Sequence, residues 1–236
     1  MKNFVASTLL ATAVLTLPVR ASLIYGTGQG SSLGGRDSYW DLVALPASWT
    51  NAPASVPYDA YIPTAVPGVF VGGGNPQSGV SFGGGVTNYW IAPQASDASL
   101  IGGNYNWIVA QQFVIPVAGL YNFSFSGAGD NELDFYINGS IGNYLGDSNR
   151  PTIFGGSQIG TRAGGFSFLT TFTGQAYLNA GTNTAYMVLW DYGGSTGALI
   201  QQSSFSVVPG PGTWAAAALL VGGAAFVRWR RRAKVS

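Results

Sequence analysis

The sequence predicts an all-β fold, an antiparallel β-sandwich or barrel, on three observations. From Trp107 onward apolar residues recur with a period of two. Clusters of Gly, Asn and Pro separate the alternating runs. Between the two chain ends no segment carries a convincing amphipathic-helix pattern.

The chain opens with Lys2 and an apolar stretch from Phe4 to Leu17, then Val19-Arg20-Ala21. A short positive region, an apolar region and small residues before a cut form a signal-peptide pattern, here a signal helix. Cleavage is expected between Ala21 and Ser22, with export through the Sec pathway. The predicted units are a leader at 1–21, a β domain at 22–207 and a tail at 208–236.

The first part of the β domain, Ser22 to Gly103, is loop-rich. It holds Pro/Ala stretches from Pro46 to Pro67 and glycine triplets at Gly72-Gly73-Gly74 and Gly83-Gly84-Gly85. Tyr39 to Val43 and Tyr89 to Ile91 are its candidate strands. Ile24 to Gly30 imitates the start of a phosphate-binding glycine loop. Such a loop needs a helix N-terminus after it, and Ser31 to Gly35 is no helix start, so a flexible N-terminus is expected.

Strands become clearer downstream. Pro116 to Gly119 reads as a turn. Leu120 to Ser126 then sets Tyr121, Phe123 and Phe125 on one face and Asn122, Ser124 and Ser126 on the other. Glu132 to Ile137 turns Leu133, Phe135 and Ile137 inward and ends at Asn138-Gly139, a tight-turn pair. Gly139 to Gly165 reads as a long surface loop. Gly165 to Thr173, Gln175 to Leu178, Thr184 to Trp190 and Ala198 to Val207 are further strands, with a turn at Asn179-Ala180-Gly181.

The tail joins breakers, an apolar run and an arginine cluster. The run from Thr213 to Val227 has 15 residues; at about 1.5 Å each it spans roughly 22 Å, short of a hydrocarbon core of roughly 30 Å. Trp214 and Trp229 bracket it. Arg228, Arg230, Arg231 and Arg232 form a basic stop that the positive-inside bias places in the cytoplasm. A short transmembrane helix is expected, and a buried core helix fits poorly beside so dense a basic cluster.

Charge divides unevenly. Between leader and tail lie three arginines, Arg36, Arg150 and Arg162, against nine carboxylates, a formal charge of −6 with no lysine. Such a body has no cationic stripe for phosphate, which excludes nucleic acid as a partner. The chain has no cysteine and no histidine. It therefore lacks thiolate and imidazole ligands and the commonest general base.

Asp130, Glu132 and Asp134 lie two apart, which on one strand places them on one face. Asp130, Asn131 and Asp134 are candidate oxygen ligands for a structural Ca²⁺. The alternatives are a solvated strand face, with Asp130 and Asn131 ordering a turn. No cofactor is otherwise implied. Glycoside hydrolysis needs carboxyls placed across a cleft. Glu132 is the only glutamate and its nearest acidic partners share its short strand, so no catalytic residue is assigned. Trp40, Trp49, Trp90, Trp107 and Trp190 are stacking candidates for sugar rings, with Trp49 the best placed for exposure and core the ordinary role of the rest.

Pro209-Gly210-Pro211-Gly212-Thr213-Trp214, the Ala/Leu run, Gly222-Gly223 and the arginines resemble the PEP-CTERM sorting tail of exported bacterial proteins. The family's central Glu is Gly210 here. The resemblance implies recognition and removal of the tail by an exosortase-type membrane protease, an inner-membrane intermediate, and a final place at the cell surface or outside the cell. The body milestones Asp37-Ser38-Tyr39-Trp40, Tyr89 to Pro93, Gly129-Asp130-Asn131, Ile137-Asn138-Gly139 and Leu178 to Thr184 resemble exported proteins of that group with galactose-binding-like, jelly-roll β-sandwich bodies. The resemblance implies a non-enzymatic envelope or matrix protein with polysaccharide or other envelope components as partners. A glycan-active enzyme and a purely structural surface coat are the competing readings.

Overall fold

The computed structural model describes residues 23–29, 32–45, 57–63, 80–81, 87–93, 99–100, 105–142, 153–165, 167–192, 194–210, 218–219, 221–223 and 228. The strands of the first part are β1 (Arg36–Ala44), β2 (Tyr58–Tyr61), β3 (Val80–Ser81), β4 (Thr87–Asn88) and β5 (Ser99–Leu100). Then come β6 (Tyr105–Ile115), β7 (Gly119–Asp130), β8 (Glu132–Ile137), β9 (Ser140–Ile141), β10 (Ile153–Phe154), β11 (Ser157–Gln158) and β12 (Ala163–Gly164). The last are β13 (Thr170–Leu178), β14 (Gly181–Asp191), β15 (Gly194–Ser195), β16 (Gly197–Ile200) and β17 (Ser204–Val207).

Two antiparallel sheets form a β-sandwich. One runs β11-β8-β14-β6-β1-β2, with β12 also on β8. The other runs β13-β7-β16, with β17 also on β7. The turns at Pro116–Gly119 and Asn179–Gly181 do not close hairpins. Each carries the chain from one sheet to the other, as β6 and β14 lie in the first and β7 and β13 in the second. Gly181 takes φ +99° at the second crossing, a conformation that favours glycine.

The alternating residues meet in the core between the sheets. Phe125 packs edge-on to Phe135 at 4.5 Å and stacks on Phe172 at 5.2 Å. Phe205 lies against Phe113, Tyr121 and Phe123. Trp40 and Trp107 are fully buried with them. A smaller cluster of Ala44, Ile108, Ile153 and Val188 sits on the outer side of the larger sheet, with Tyr136, Ile141 and Tyr186 against it. The β9–β10 hairpin supplies Ile141 and Ile153 to this cluster.

Several expected elements change. Only Thr170–Thr173 of the expected strand Gly165–Thr173 is strand; it merges with Gln175–Leu178 into β13, which continues through Gly174 opposite Phe123. The expected strand Ala198–Val207 divides into β16 and β17. Ile200 pairs with Gly127 and Ser204 with Ser124, so four steps on one side match three on β7, a bulge. The supposed surface loop from Gly139 to Gly165 contributes β9 to β12, and its Ile159 and Ala163 are fully buried. Asn138-Gly139 does turn, with φ 58° and 95°. It leads β8 out of the sheet toward β9 rather than into a partner strand.

The expected flexible N-terminus is instead a buried strap. Ile24 and Thr27 are fully buried. Ile24 bridges Ser203, Thr27 N donates to Ile200 O at 3.1 Å, and Thr27 Oγ1 accepts from Ile200 N at 3.1 Å. A Cβ at Gly26 would meet the Asn88 side chain and, at 2.7 Å, the backbone nitrogen of Gln202, which leaves it no room. The expected signal helix, Trp49 and the glycine triplets lie outside the described residues.

Val208 N donates to Leu120 O at 2.8 Å, the last backbone bond that ties the chain end to the sandwich among the described residues. Pro209 and Gly210 are exposed and irregular, and residues 218–219, 221–223 and 228 are helical. Among the described residues no helix is long and apolar enough to cross a membrane.

Candidate functional site

The acidic run between β7 and β8 does not lie on one face, because the chain changes sheets within it. Asp130 ends β7 opposite Gly197 in the smaller sheet. Glu132 and Asp134 belong to β8, opposite Trp190 and Val188 in the larger one. Period-two reasoning therefore stops at Asn131.

Each candidate ligand has separate surroundings. Asp130 is nearly buried, its carbonyl accepts from Thr196 Oγ1 at 3.2 Å, and burial pushes its carboxyl up to about 7. Thr196 Oγ1 in turn accepts from Trp107 Nε1 at 2.8 Å. Asn131 Oδ1 accepts from Tyr192 N at 2.6 Å. Asp134 receives Arg162 in a forked contact, with Nε at 3.1 Å and Nη2 at 3.0 Å from Oδ2, and Gln158 Nε2 at 3.1 Å from Oδ1. Burial raises the Asp134 carboxyl and the Arg162 guanidinium opposes that rise. Among the described residues no group of three or more acidic side chains converges on a metal position. Asp130, Asn131 and Asp134 do not form one ligand set.

Glu132 and Asp134 are not a solvated face. Arg162, just before β12, closes over both, with Nε 3.4 Å from Glu132 Oε2. Glu132 also accepts from Tyr192 Oη at 2.9 Å, and the Tyr192 ring meets Trp190 edge-on at 5.9 Å. Tyr192 is 52% exposed. The result is an accessible surface where a half-buried indole, an exposed phenol ring, a carboxylate and a guanidinium adjoin. Such a surface stacks apolar ring faces and pairs hydroxyl groups. Two carboxylates held by one guanidinium are not a separated acid and base.

Among the described residues the other tryptophans are core. Trp40, Trp90 and Trp107 are at most 1% exposed. Their bulk fills the sandwich rather than presenting a face.

Sequence reasoning missed three groups. Asp37 is buried. Its Oδ1 accepts from Tyr39 N at 2.7 Å and Trp40 N at 2.9 Å, and its Oδ2 accepts from Gly28 N. Burial outweighs these bonds and lifts Asp37 to about 6. The carboxylate ties the N-terminal strap to β1, whereas the glycines that imitate a phosphate loop hold no helix behind them. Asn183 is the second group. Its Nδ2 donates to Asn179 O at 2.8 Å, and its Oδ1 accepts from Asn138 Nδ2 at 2.9 Å. Asn138 Oδ1 accepts from Thr184 N at 3.0 Å, so the amide joins two turns. Arg162 is the third, and its place as one of three body arginines was the available signal.

Of the sorting residues, Pro209 and Gly210 are described and exposed, while Pro211, Gly212 and Thr213 lie outside the described residues. A Cβ at Gly210 would meet nothing within 4 Å, so the glycine is not required by packing. Arg228 is helical and exposed, and Arg230, Arg231, Arg232, Ala21 and Ser22 lie outside the described residues.

No family model and no curated protein matches the chain. Among solved structures it is similar to a family 61 carbohydrate-binding module in complex with β-1,4-galactotriose, at 11% identity, over 51% of this chain and 68% of that one, with a TM-score of 0.30. A family 35 carbohydrate-binding module from Cellvibrio japonicus matches at 12% identity over 74% and 91%, with a TM-score of 0.31. A Podospora anserina β-(1,4)-mannanase that carries a family 35 module matches at 22% identity over 56% and 25%, with a TM-score of 0.30. At these scores the overlaps carry no residue correspondence. They include both binding modules and an enzyme that bears one.

Proposed function

We propose that this is an exported, non-enzymatic protein of the cell envelope or extracellular matrix. Its β-sandwich, of jelly-roll type, binds carbohydrate, and its tail is an exosortase-type sorting signal. The observation that carries this reading is the tail's position. Among the described residues the body's backbone bonding ends at Val208, and beyond it Leu219 and Val221 are 77% and 72% exposed. Apolar side chains left uncovered by their own domain mark a contact with something else. The arginines that follow fit a membrane segment with a cytoplasmic stop.

The carbohydrate contact is assigned to Tyr192 and Trp190, with Glu132 and Arg162 as hydrogen-bonding groups beside them. Mass spectrometry of the native protein tests the sorting reading. A mature chain that begins at Ser22 and lacks the arginine cluster is expected. An intact tail in purified membranes would make the tail an anchor instead. Tyr192→Ala tests the binding reading by affinity electrophoresis in polysaccharide gels. Unaltered retardation of the variant would remove the aromatic pair as the site.

A further inference from the structure

The end of the sandwich from which the tail leaves gathers several exposed apolar side chains. Val114, Val117, Leu120, Tyr177 and Val207 are each between 38% and 61% exposed. All five lie at one end of the two sheets, Val114 on the outer face of the larger and Leu120 and Tyr177 on the outer face of the smaller. Val117 lies in the β6–β7 crossing and its carbonyl accepts from Tyr121 Oη at 2.7 Å. Leu120 pairs with Tyr177, and Val207 pairs with Tyr121. Val114 pairs with Thr182, next to the β13–β14 crossing.

No charged residue occurs in the segments 106–129, 163–190 and 192–227, which include all the strand ends that meet here and continue into the tail. The acidic groups of the β7–β8 junction lie at the opposite end of β7. An uncharged rim of exposed apolar side chains is suited to a lipid interface and poorly suited to open water.

Chain length fixes the occupant. Val208 is bonded to Leu120 at this end, and the apolar run begins at Thr213, five residues on. Five residues reach at most about 17 Å when fully extended. If the run enters the bilayer, this end of the sandwich must lie close to the headgroups.

We infer that Val114, Val117, Leu120, Tyr177 and Val207 form a membrane-seating surface, on which the body rests against the lipid headgroup and acyl boundary while the tail is inserted. The inference depends on the tail entering a bilayer, as proposed above. It adds a defined orientation: the β6–β7 crossing faces the lipid, and Tyr192 faces away from it.

The absence of cysteine permits a clean test. Val117→Cys and Tyr192→Cys full-length chains are each labelled with a polarity-sensitive fluorophore. They are reconstituted into phosphatidylethanolamine–phosphatidylglycerol vesicles with brominated acyl chains. The Val117 label should be quenched about twofold or more while the Tyr192 label is not, as for a surface that penetrates the interface. Adding Leu120→Asp and Val207→Asp should abolish the quenching while the chain still floats with the vesicles. These positions are exposed, so the substitutions leave the core untouched.

A chain that floats with an unquenched Val117 label overturns the seating surface and leaves the tail reading standing. A chain that does not float overturns both. Equal quenching of the two labels overturns the orientation. Self-association that Leu120→Asp abolishes, without vesicle quenching, would assign the surface to a second copy of the chain and overturn the lipid.

Discussion

Asp41 and Asp59 stand directly opposite each other across the β1–β2 pair, two carboxylates at one cross-strand position near the edge of the larger sheet. Arg36 approaches Asp59 at 4.0 Å while its guanidinium lies 5.2 Å from the Tyr61 ring centre. Burial, then the charge of Asp59, raises the Asp41 carboxyl. Like charges directly opposed weaken a strand pair.

Asp41→Asn should therefore stabilise the protein at neutral pH by about 0.5 kcal/mol, within the range for a single cross-strand pair. Urea unfolding at pH 7 measures it. The gain should vanish at low pH, where the natural pair is protonated. A destabilised Asp41→Asn variant at pH 7 would show that the pair has a role other than repulsion.

Arg162→Gln should cost about 2 kcal/mol, because it leaves the Asp134 and Glu132 carboxylates without their shared cation in a half-buried place. Combining it with Asp134→Asn should recover part of the loss, since one stranded charge is then gone. Thermal unfolding of the two variants and their double gives the coupling. Strict additivity would mean that the contact contributes little.

The pH dependence follows from Asp37 and Asp130. An unfolded aspartate titrates near 3.9, about two units below the folded Asp37 at about 6 and three below Asp130 at about 7. A raised carboxyl favours the folded state only while protonated. Their contribution is thus complete below pH ~4 and is lost as pH rises to about 6 for Asp37 and about 7 for Asp130. Melting temperature should fall across that window, and Asp130→Asn should flatten its upper half. Unchanged pH dependence in Asp130→Asn would place the titration elsewhere.

Asp37→Ala should cost about 3 kcal/mol, since the amides of Gly28, Tyr39 and Trp40 lose their acceptor in a buried place. The strap should then release, and hydrogen exchange at Thr27 and Gly28 should accelerate ahead of exchange at β14. Uniform acceleration through the body would instead mean that the strap and sheets open together.

Phe135→Ala should cost about 3–5 kcal/mol, the range for deleting a buried aromatic ring. Phe125 and Phe172 would both lose a neighbour. Urea denaturation measures this loss, and a change below about 1 kcal/mol would mean that the core closes over the gap.

Local alternation made the sandwich readable. Tyr121, Phe123 and Phe125 face inward, as do Leu133, Phe135 and Ile137, because each run stays within one sheet. Information that depends on partners was not readable. The step from Asp130 to Glu132 crosses between sheets, which no periodicity shows. The meeting of Asp41 with Asp59 requires the strand register, and that of Arg162 with Asp134 requires a return 28 residues later. The strap escaped notice because Gly26, Thr27 and Gly28 have no apolar bulk. They are buried by backbone bonds and by close approach rather than by hydrophobicity.

That strap also sets an order of events. With cleavage after Ala21, only Ser22 and Leu23 precede Ile24, whose side chain lies wholly inside the sandwich. A protease must hold several residues around its bond in an extended form, and Ile24 to Gly28 cannot be held so once docked. On the proposed cleavage after Ala21, leader removal would therefore belong before closure of the sandwich. On the same proposal, a chain that folded first would keep its leader as well as its tail.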